Sequence, residues 1–258
     1  MTRGIDKEKV VDEHGYNKTH LSVQMGLDRH WLHRDRFAHW LRWQHVTKEV
    51  KRKEDRVLDL ACGDGSLALA LYANMMGPAA YHGYEYRKTM VEKNTKNITP
   101  NFECVFKQTD LCQDGWVAAA QEFAPTVITN FEFIEHIPED QVAPFLNRVK
   151  QVMSANTVFY LSTPCFDGKT MSKNHVKEWY FDELRDLIMS LGFVVDDVFG
   201  TFISKSDCER AIIANSRADA LMEIYNRLAD YYHTAALSVM LAPLFPGYAR
   251  NAIWRLRK

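Results

Sequence analysis

Two carboxylates and two imidazoles stand at spacings that could hold a divalent ion or move a proton. In the segment FEFIEHIP, Glu132, Glu135 and His136 occupy positions i, i+3 and i+4, so they share one face if the segment is helical. His175, in the segment NHVKEW, follows a later predicted strand and can return to the same rim. This set of oxygen and nitrogen ligands suits Mg²⁺ or Mn²⁺ better than structural zinc. Without an ion, either histidine could act as a general base or as a hydrogen-bonding group at the rim.

A second candidate is a glycine-rich turn in the segment VLDLACGDGSLALAL, which begins at Val57. Gly63 and Gly65 carry no Cβ atom, so a ligand could lie directly on the backbone there. The dinucleotide-binding pattern G-x-G-x-x-G needs a third glycine, and this chain has Ala68, a tolerated variant. By itself, the turn is equally compatible with a simple chain reversal.

Three acidic residues follow three successive predicted strands of this region. Asp59 stands at the end of the first strand, Glu85 ends the second, and Asp110 ends the third. Carboxylates at such positions accept hydrogen bonds from ribose hydroxyls or from the amino group of a base. A single acid in a loop is an ordinary feature, but three at successive strand ends favour a nucleoside-binding site.

Alternating β-rich and helical segments must position these residues. From about residue 54, strands and helices alternate until Phe199, and the segment YARNAIWRLRK closes the chain as a last strand. This alternation predicts an α/β fold with a doubly wound parallel sheet that helices cover on both faces. Residues 54–258 are expected to form this domain, and residues 1–53 a helical extension. About residues 205–242 are predicted to form one long or two shorter helices, a lid inserted before the last strand.

The N-terminal extension contains a basic and aromatic segment, DRHWLHRDRFAHWLRWQH. Helical spacing groups Phe37, Trp40, Leu41 and Gln44 on one face and leaves Arg42 off it. This pattern favours a helix that covers one edge of the main domain. The alternative is a surface for phosphates and bases, through which the chain could bind nucleic acid.

The composition excludes several classes of protein. The net charge of −1 gives the whole molecule no field that attracts nucleic acid or an anionic membrane. Five cysteines without CxxC spacing indicate reduced thiols, and we interpret Cys165 as an ordinary loop thiol. The polar N-terminus has no signal-peptide core, and no segment has the apolar length of a membrane span. We therefore expect a cytoplasmic protein, whose oligomeric state the sequence leaves open.

Over about residues 57–199, the chain resembles the class I S-adenosylmethionine-dependent methyltransferases. VLDLACGDGSLAL is similar to their cofactor loop, EHIP to the segment after their fourth strand, and NHVKEWYFDELRDLIMSLGF to their fifth-helix segment. The resemblance implies a Rossmann-like sheet of seven strands whose last strand is antiparallel. It also implies S-adenosylmethionine as the cofactor and methyl transfer as the activity.

The same resemblance assigns cofactor contacts to particular residues. It implies that Glu85 binds the ribose, that Asp110 and Leu111 bind the adenine, and that Asn130 lines the methionine end. A nicotinamide dehydrogenase would share the glycine turn, but Asp110 and the segment NFEFIEHIP do not suit that class. The remaining cofactor positions lie in and before the turn and are Asp59, Ala61, Gly63, Gly65 and Ser66.

The acceptor of the methyl group depends on a second resemblance. The segments FEFIEHIP and NHVKEW are similar to those of the small-RNA 3′-terminal 2′-O-methyltransferases, which carry Glu-x-x-Glu-His and a later His-x-x-Glu-Trp-like segment. Those enzymes bind a divalent ion between the two terminal hydroxyls. This resemblance implies an RNA acceptor and Mg²⁺ or Mn²⁺, and its ligands would be Glu132, Glu135, His136 and His175.

Two departures from that pattern favour a different assignment. Lys177 stands where those enzymes have an aromatic residue, and Cys165 where they have asparagine. Glu-His after the fourth strand also occurs in metal-free methyltransferases of small molecules. We therefore expect a metal-free O-methyltransferase of a small-molecule, sugar or nucleotide acceptor, with Glu135, His136 and His175 as catalytic residues. The alternatives are a metal-dependent RNA 2′-O-methyltransferase and a non-catalytic nucleoside-binding subunit.

Overall fold

A seven-stranded sheet forms the centre of the computed structural model, which describes residues 34–50, 53–73, 77–169, 171–232 and 234–258. In chain order the strands are β1 (Arg56–Leu60), β2 (Ala80–Glu85), β3 (Glu103–Gln108), β4 (Val127–Phe131), β5 (Val158–Pro164), β6 (Val194–Gly200) and β7 (Asn251–Arg257). Across the sheet they lie in the order β3-β2-β1-β4-β5-β7-β6. Strands β1 to β5 pair in parallel, whereas β7 runs antiparallel to β5 and β6. The predicted fold, with its antiparallel last strand, is confirmed.

Helices cover both faces of this sheet. They are α1 (Arg34–Glu49), α2 (Ser66–Ala73), α3 (Lys88–Asn97), α4 (Val117–Phe123), α5 (Glu139–Val152) and α6 (Phe181–Ser190). The first three contribute to one core layer and the last three to the other. In β1, Val57 packs into the first layer and Leu58 and Leu60 into the second, because successive strand residues point to opposite faces. A continuous apolar run is therefore what a strand buried on both faces requires.

The strand order determines where side chains converge. After β1 the chain builds β2 and β3 on one side, and it then returns to place β4 on the other side. Strands β1 and β4 are therefore neighbours at the point where the order reverses, with Leu60 opposite Asn130. In open α/β sheets, the crevice at the carboxyl ends of such strands is the usual place for a ligand.

The insertion contains three α-helices within its described residues, rather than the one or two that we expected. They are α7 (Lys205–Ile213), α8 (Ala218–Ala229) and α9 (Thr234–Leu241), and two 3₁₀ turns follow, Ala242–Leu244 and Pro246–Tyr248. The chain breaks after α7 because the Asn215 side chain accepts a hydrogen bond from the Arg217 backbone N–H at 3.0 Å. A small core around Tyr225 and Leu237 joins these helices. No described helix, the apolar α9 included, is long and apolar enough to cross a membrane.

Helix α1 is the described part of the N-terminal extension, and residues 1–33 of the predicted extension lie outside the described residues. Its last turns pack Val46 into the core beside α2, as a covering helix would. The predicted faces are wrong at three positions, since Trp40 is 54% exposed and Gln44 is also exposed, whereas Arg42 is 2% exposed. Arg42 is buried because it pairs with Glu132 of the rim, a contact that helical spacing cannot reveal.

Gly200→Ala should destabilise the fold, because the new Cβ atom would overlap the carbonyl oxygen of Ala242 and lie 2.5 Å from the Cβ atom of Ala249. Overpacking of this kind costs about 1–3 kcal/mol, so the free energy of unfolding in urea should fall by that amount. Gly115→Ala is the matched control, since its new Cβ atom would have no neighbour within 4 Å. Equal free energies for the two variants would show that the insertion does not pack closely on β6.

Candidate active site

The glycine turn after β1 leaves open space above its backbone. Gly63 has a φ of +55°, and a Cβ atom built there would meet no protein atom within 4 Å. Gly65 has a φ of +75°, but its Cβ atom would lie 2.5 Å from the Cδ1 atom of Ile98. Protein packing therefore requires Gly65, whereas Gly63 keeps the backbone free for something that lies against it. This difference favours a ligand site over a simple chain reversal.

The residues on either side of the glycines shape the turn. Ala61 adopts a left-handed φ of 62°. This conformation costs a residue with a Cβ atom about 1–2 kcal/mol, and such strain is concentrated at ligand sites. Ser66 begins α2 and donates hydrogen bonds to Oδ1 of Asp64, from its backbone N–H at 3.1 Å and from its hydroxyl at 2.6 Å. Both residues therefore help to hold the shape of the turn.

Glu85, the last residue of β2, contacts this turn. Its Oε2 atom accepts a hydrogen bond from the Gly63 backbone N–H at 3.1 Å, and its Oε1 atom accepts two from Arg87, at 3.0 and 2.8 Å. Asn94 of α3, which is 2% exposed, donates to the Gly63 carbonyl oxygen at 2.8 Å. The structure thus brings Glu85 and Gly63 together, as the sequence predicts. Sequence analysis misses Asn94, because nothing in its helical segment marks it as buried.

Asp59 and Asn130 lie inside the sheet, next to the turn. The Asp59 carboxylate accepts hydrogen bonds from the hydroxyls of Tyr81 and Thr129, each at 2.7 Å. Burial raises the pKa of Asp59 to about 6, although both hydrogen bonds act to lower it. The Asn130 side chain donates to the Leu60 carbonyl oxygen at 2.9 Å, and its own Oδ1 atom has no protein partner. Asp59 therefore supports the turn from within, while Asn130 keeps one acceptor atom.

The loop after β3 brings Asp110 and Leu111 to the same end of the sheet. Strands β2 and β3 pair in register up to Glu85 and Gln108, so the loop begins beside the glycine turn. Asp110 is exposed, and its Oδ1 atom accepts a hydrogen bond from the Cys112 backbone N–H at 2.9 Å. Leu111 is buried. A carboxylate beside an apolar side chain is a suitable edge for a base.

Glu135, His136 and His175 converge at the neighbouring rim, beyond β4 and β5. Each offers one ligand atom, and these atoms lie within 4.8 Å of one another. The first two belong to the 3₁₀ turn Ile134–His136, and His175 comes from the loop between β5 and α6. That loop returns to β4 because the Val176 backbone N–H donates to the Glu135 carbonyl oxygen at 2.7 Å. The structure thus brings together three of the four side chains that the sequence suggests as ligands.

Hydrogen bonds determine which nitrogen of each imidazole keeps a lone pair. The Nδ1 atom of His136 lies 3.0 Å from the carbonyl oxygen of Asn174, and that of His175 lies 2.7 Å from Oε1 of Glu178. Carbonyl and carboxylate oxygens only accept, so each Nδ1 carries the proton. Each Nε2 atom is therefore available as a metal ligand or as a proton acceptor. The two rings stand 4.9 Å apart at an angle of 82°.

The Glu135 carboxyl is fully buried and only half satisfied. Its Oε2 atom accepts a hydrogen bond from the Thr163 hydroxyl at 3.0 Å, whereas Oε1 has no partner and lies 4.0 Å from Nε2 of His136. Burial raises the pKa of Glu135 well above its ordinary value, and the negative charge of Glu132 raises it further. A buried carboxylate oxygen is costly unless a proton or a cation meets it. Glu135 therefore has the chemistry of a proton carrier or a cation ligand.

Glu132 lies near this cluster, but other partners hold its carboxylate. Ser162 and Asn251 donate hydrogen bonds to it at 3.0 and 2.8 Å, and the Arg42 guanidinium lies 3.4 Å away. The predicted helical face shared with Glu135 is wrong, because only a three-residue 3₁₀ turn forms there. Glu132 precedes that turn with a left-handed φ of 54°.

Glu178 is a site residue that sequence analysis misses. Its fully buried side chain accepts hydrogen bonds from Nδ1 of His175 and, at 3.0 Å, from the Ser172 backbone N–H. The Arg250 guanidinium lies 3.1 Å from its other oxygen. The spacing of His175 and Glu178 in NHVKEW, i and i+3, is the feature that could have revealed this pair.

The side chains of the two residues that depart from the RNA-methylating pattern have other contacts, although the Lys177 backbone N–H donates to the Glu135 carbonyl oxygen at 3.3 Å. The Lys177 Nζ atom contacts Glu139 and Glu183, each at 2.6 Å, and lies 3.9 Å from the ring centre of Trp179. Cys165 is buried, and burial raises its thiol pKa to about 12, as suits an ordinary structural thiol.

Comparisons with known proteins are consistent with this geometry. The sequence profile of a methyltransferase-domain family matches residues 31–193. The fold is similar to the small RNA methyltransferase HEN1, with a TM-score of 0.58 and 16% identity over 85% of this chain and 25% of that one. It is also similar to an S-adenosylmethionine-dependent methyltransferase from Archaeoglobus fulgidus, with a TM-score of 0.55 and 13% identity over 90% of this chain and 100% of that one.

A third similar structure is the cyclopropane synthase MmaA2 from Mycobacterium tuberculosis, with a TM-score of 0.53 and 14% identity over 84% of this chain and 83% of that one. At identities this low, the structural likeness shows the fold alone. The chain spans about a quarter of the length of HEN1. No curated protein matches the sequence significantly.

Gly63→Ala should weaken the binding of S-adenosylhomocysteine by at least about tenfold, because the new methyl group would enter the space above the turn. Gly168→Ala is the matched control, since its φ of +80° imposes similar backbone strain and its Cβ atom would meet Tyr180 only at 3.6 Å. Isothermal titration calorimetry on the two folded variants measures the difference. Equal affinities would mean that Gly63 does not contact the cofactor.

Asp59→Asn should change how stability depends on pH. Burial raises the pKa of Asp59 from 3.8 to about 6, so the folded protein binds more protons than the unfolded chain between these values. Wild-type stability should therefore fall as pH rises from about 4 to about 6, and the loss should persist above pH 6. The asparagine keeps an acceptor for Tyr81 and does not titrate, so its melting temperature should lack this fall. Parallel pH profiles for the variant and the wild type would contradict the raised pKa.

Proposed function

Since the chain belongs to the S-adenosylmethionine-dependent methyltransferase-domain family, we propose that it methylates a hydroxyl oxygen at a divalent ion held by Glu135, His136 and His175. The observation that carries this proposal is the convergence of these three side chains within 4.8 Å. The acceptor is a sugar or nucleotide, and the 3′-terminal ribose of an RNA is the first candidate. This proposal departs from the metal-free site that the sequence favours.

The chemistry of the cluster fits a divalent ion. Metal–ligand bonds of about 2.1 Å place neighbouring ligand atoms about 3–4 Å apart, a separation comparable to that in the cluster. The Oε1 atom of Glu135 has no protein partner, and an ion would satisfy it. The Nδ1 hydrogen bonds of His136 and His175 resemble those that orient metal-bound imidazoles in general. Two imidazoles beside one carboxylate favour Mn²⁺ over Mg²⁺.

The protein's own groups prepare this rim for reaction. Glu178 holds a proton on Nδ1 of His175, and the Asn174 carbonyl oxygen does the same for His136, so both Nε2 atoms keep their lone pairs. Thr163 fixes one oxygen of Glu135 and leaves the other without a hydrogen bond. When bound, the ion would act as a Lewis acid that holds the acceptor hydroxyl and lowers its pKa.

The proposed function needs the methyl donor and the acceptor to lie side by side, and the order of the strands supports this. The open space above Gly63 follows β1, and the turn that carries Glu135 follows β4, which pairs with β1 in parallel. The two sites therefore share one edge of the sheet. S-adenosylmethionine supplies a methyl group that its sulfonium already activates, so the protein has to align the two reactants and exclude water.

Three observations support an RNA 3′ end as the acceptor. Three protein ligands on an ion of about six coordination positions leave room for the two adjacent hydroxyls of a terminal ribose. HEN1, whose fold is similar, is a small RNA methyltransferase. Trp40, exposed on α1, offers a surface on which a base could stack, which supports nucleic-acid contact through the basic and aromatic segment.

Metal-free O-methylation of a small acceptor is the second candidate. The same lone pairs on His136 and His175 would then accept the hydroxyl proton, an effect that contributes about 10²–10⁴-fold to rate. A non-catalytic nucleoside-binding subunit is a third candidate, and it would bind S-adenosylhomocysteine without turnover. For each candidate we place the protein in the cytoplasm, a proposal supported by five cysteines that form no disulfide in the structure.

Chelation should abolish methyl transfer to a synthetic RNA with a free 3′-terminal ribose, and Mn²⁺ should restore it. His175→Ala and Glu135→Gln should each weaken Mn²⁺ binding by at least about 10-fold, because the first removes a ligand and the second replaces a carboxylate oxygen with a neutral amide oxygen. Electron paramagnetic resonance of free Mn²⁺ measures this affinity without any acceptor.

Glu92→Gln, at an exposed position of α3, is the control and should bind Mn²⁺ as the wild type does. Calorimetry with S-adenosylhomocysteine shows that each variant is folded. Transfer that persists in a metal-stripped sample, together with no measurable Mn²⁺ binding, would refute the proposal and leave the histidine base.

A further inference from the structure

A buried ion pair joins α1 to the rim of the site. Arg42 is 2% exposed, and its guanidinium lies 3.4 Å from Oε2 of Glu132. Burying an arginine is costly unless a carboxylate meets its charge, and among the described residues Glu132 is the one that forms this ion pair. The buried Nε atom of Arg42 has no hydrogen-bond partner, so the ion pair leaves one donor of the guanidinium unsatisfied.

Glu132 is held from three directions. Ser162 of β5 donates to one carboxylate oxygen at 3.0 Å, Asn251 of β7 donates to the other at 2.8 Å, and Arg42 of α1 lies against that second oxygen. Its backbone has a left-handed φ of 54°, an uncommon conformation for a residue with a side chain. Three elements of the fold therefore determine where this carboxylate points.

Glu132 is also close enough to the cluster to influence it. The two glutamates bind adjacent residues of β5, since Glu132 accepts from Ser162 and Glu135 accepts from Thr163. Without Arg42, the Glu132 carboxylate would keep the hydrogen bonds from Ser162 and Asn251 but would lose the positive charge that pairs with it, beside a cation site.

We infer that Arg42 is a positioning residue that holds Glu132 out of the metal cluster and limits the protein ligands to Glu135, His136 and His175. This inference rests on the proposed function. Three protein ligands on an ion with about six coordination positions leave about three for an acceptor and water. A fourth carboxylate would occupy one of these positions and neutralise more of the charge that polarises the acceptor. Helix α1 is thereby part of the site rather than only a cover.

The first test is Glu132→Asp, which keeps the charge but shortens the side chain by one methylene group. If Arg42 holds this carboxylate away from the ion, the Mn²⁺ dissociation constant should stay within about threefold of wild type, since no ligand is lost. A loss of about tenfold or more would show that Glu132 already binds the ion or supports one of its ligands, and either result would overturn the inference.

The second test releases Glu132. Arg42→Gln should tighten Mn²⁺ binding by about tenfold, because the carboxylate, then held by two neutral hydrogen-bond donors and no cation, can turn to the ion. Arg42→Gln combined with Glu132→Asp has the same net charge but a shorter reach, so it should bind Mn²⁺ less tightly than Arg42→Gln alone. Equal tightening in both variants would indicate a pure charge effect and would contradict ligation by Glu132.

Controls separate failure of the inference from failure of the proposed function. If wild-type protein binds no Mn²⁺ in the resonance experiment, the metal site itself is refuted. If wild-type protein binds Mn²⁺ but Arg42→Gln does not tighten it, only the role of Arg42 is refuted. Calorimetry with S-adenosylhomocysteine confirms that each variant is folded. If Arg42→Gln does not fold, Glu132→Asp in the wild-type background still tests whether Glu132 is a ligand of the ion.

Discussion

One buried carboxyl group, that of Glu135, organises the rim on which the rest of the site depends. Its carbonyl oxygen accepts a hydrogen bond from the loop that carries His175, and its carboxylate accepts one from Thr163 of β5. The other carboxylate oxygen, which has no hydrogen-bond partner, faces His136. Burying such a group is unfavourable unless a proton or a cation meets the unpartnered oxygen. The fold tolerates the free-energy cost of burying this group because core layers on both faces of the sheet support the strands next to it. A ligand at this oxygen is the simplest reason for the arrangement.

The order of the strands explains why the two halves of the site adjoin. Parallel strands deliver all their carboxyl ends to one edge, and the reversal between β1 and β4 opens a crevice there. The glycine turn and Glu85 occupy one side of the crevice, and the cluster around Glu135 occupies the other. Strand β7 adds Asn251 from the antiparallel side, so residues far apart in sequence hold Glu132. The helical insertion precedes that strand and packs on β6.

Local patterns were sufficient to predict the sheet, the glycine turn and three members of the cluster. Those features depend on alternation, short spacings and strand ends, which the sequence carries directly. The predictions that were wrong concern features that depend on contacts between residues far apart in the sequence. Nothing near Arg42 indicates that it is buried against Glu132, and a helical spacing of Glu132 and Glu135 does not reveal a three-residue 3₁₀ turn. The break between α7 and α8 coincides with a side-chain turn at Asn215, which the apolar pattern does not report.

Pulsed electron paramagnetic resonance of the Mn²⁺-loaded protein would show whether His136 and His175 bind the ion. With histidine labelled by ¹⁵N, the spectrum should show coupling of the ion to two imidazole nitrogens. His136→Ala and His175→Ala should each remove one of these couplings, because each deletes one Nε2 ligand. Mn²⁺ that binds without any histidine coupling, or protein that binds no Mn²⁺, would contradict a metal site that contains His136 and His175.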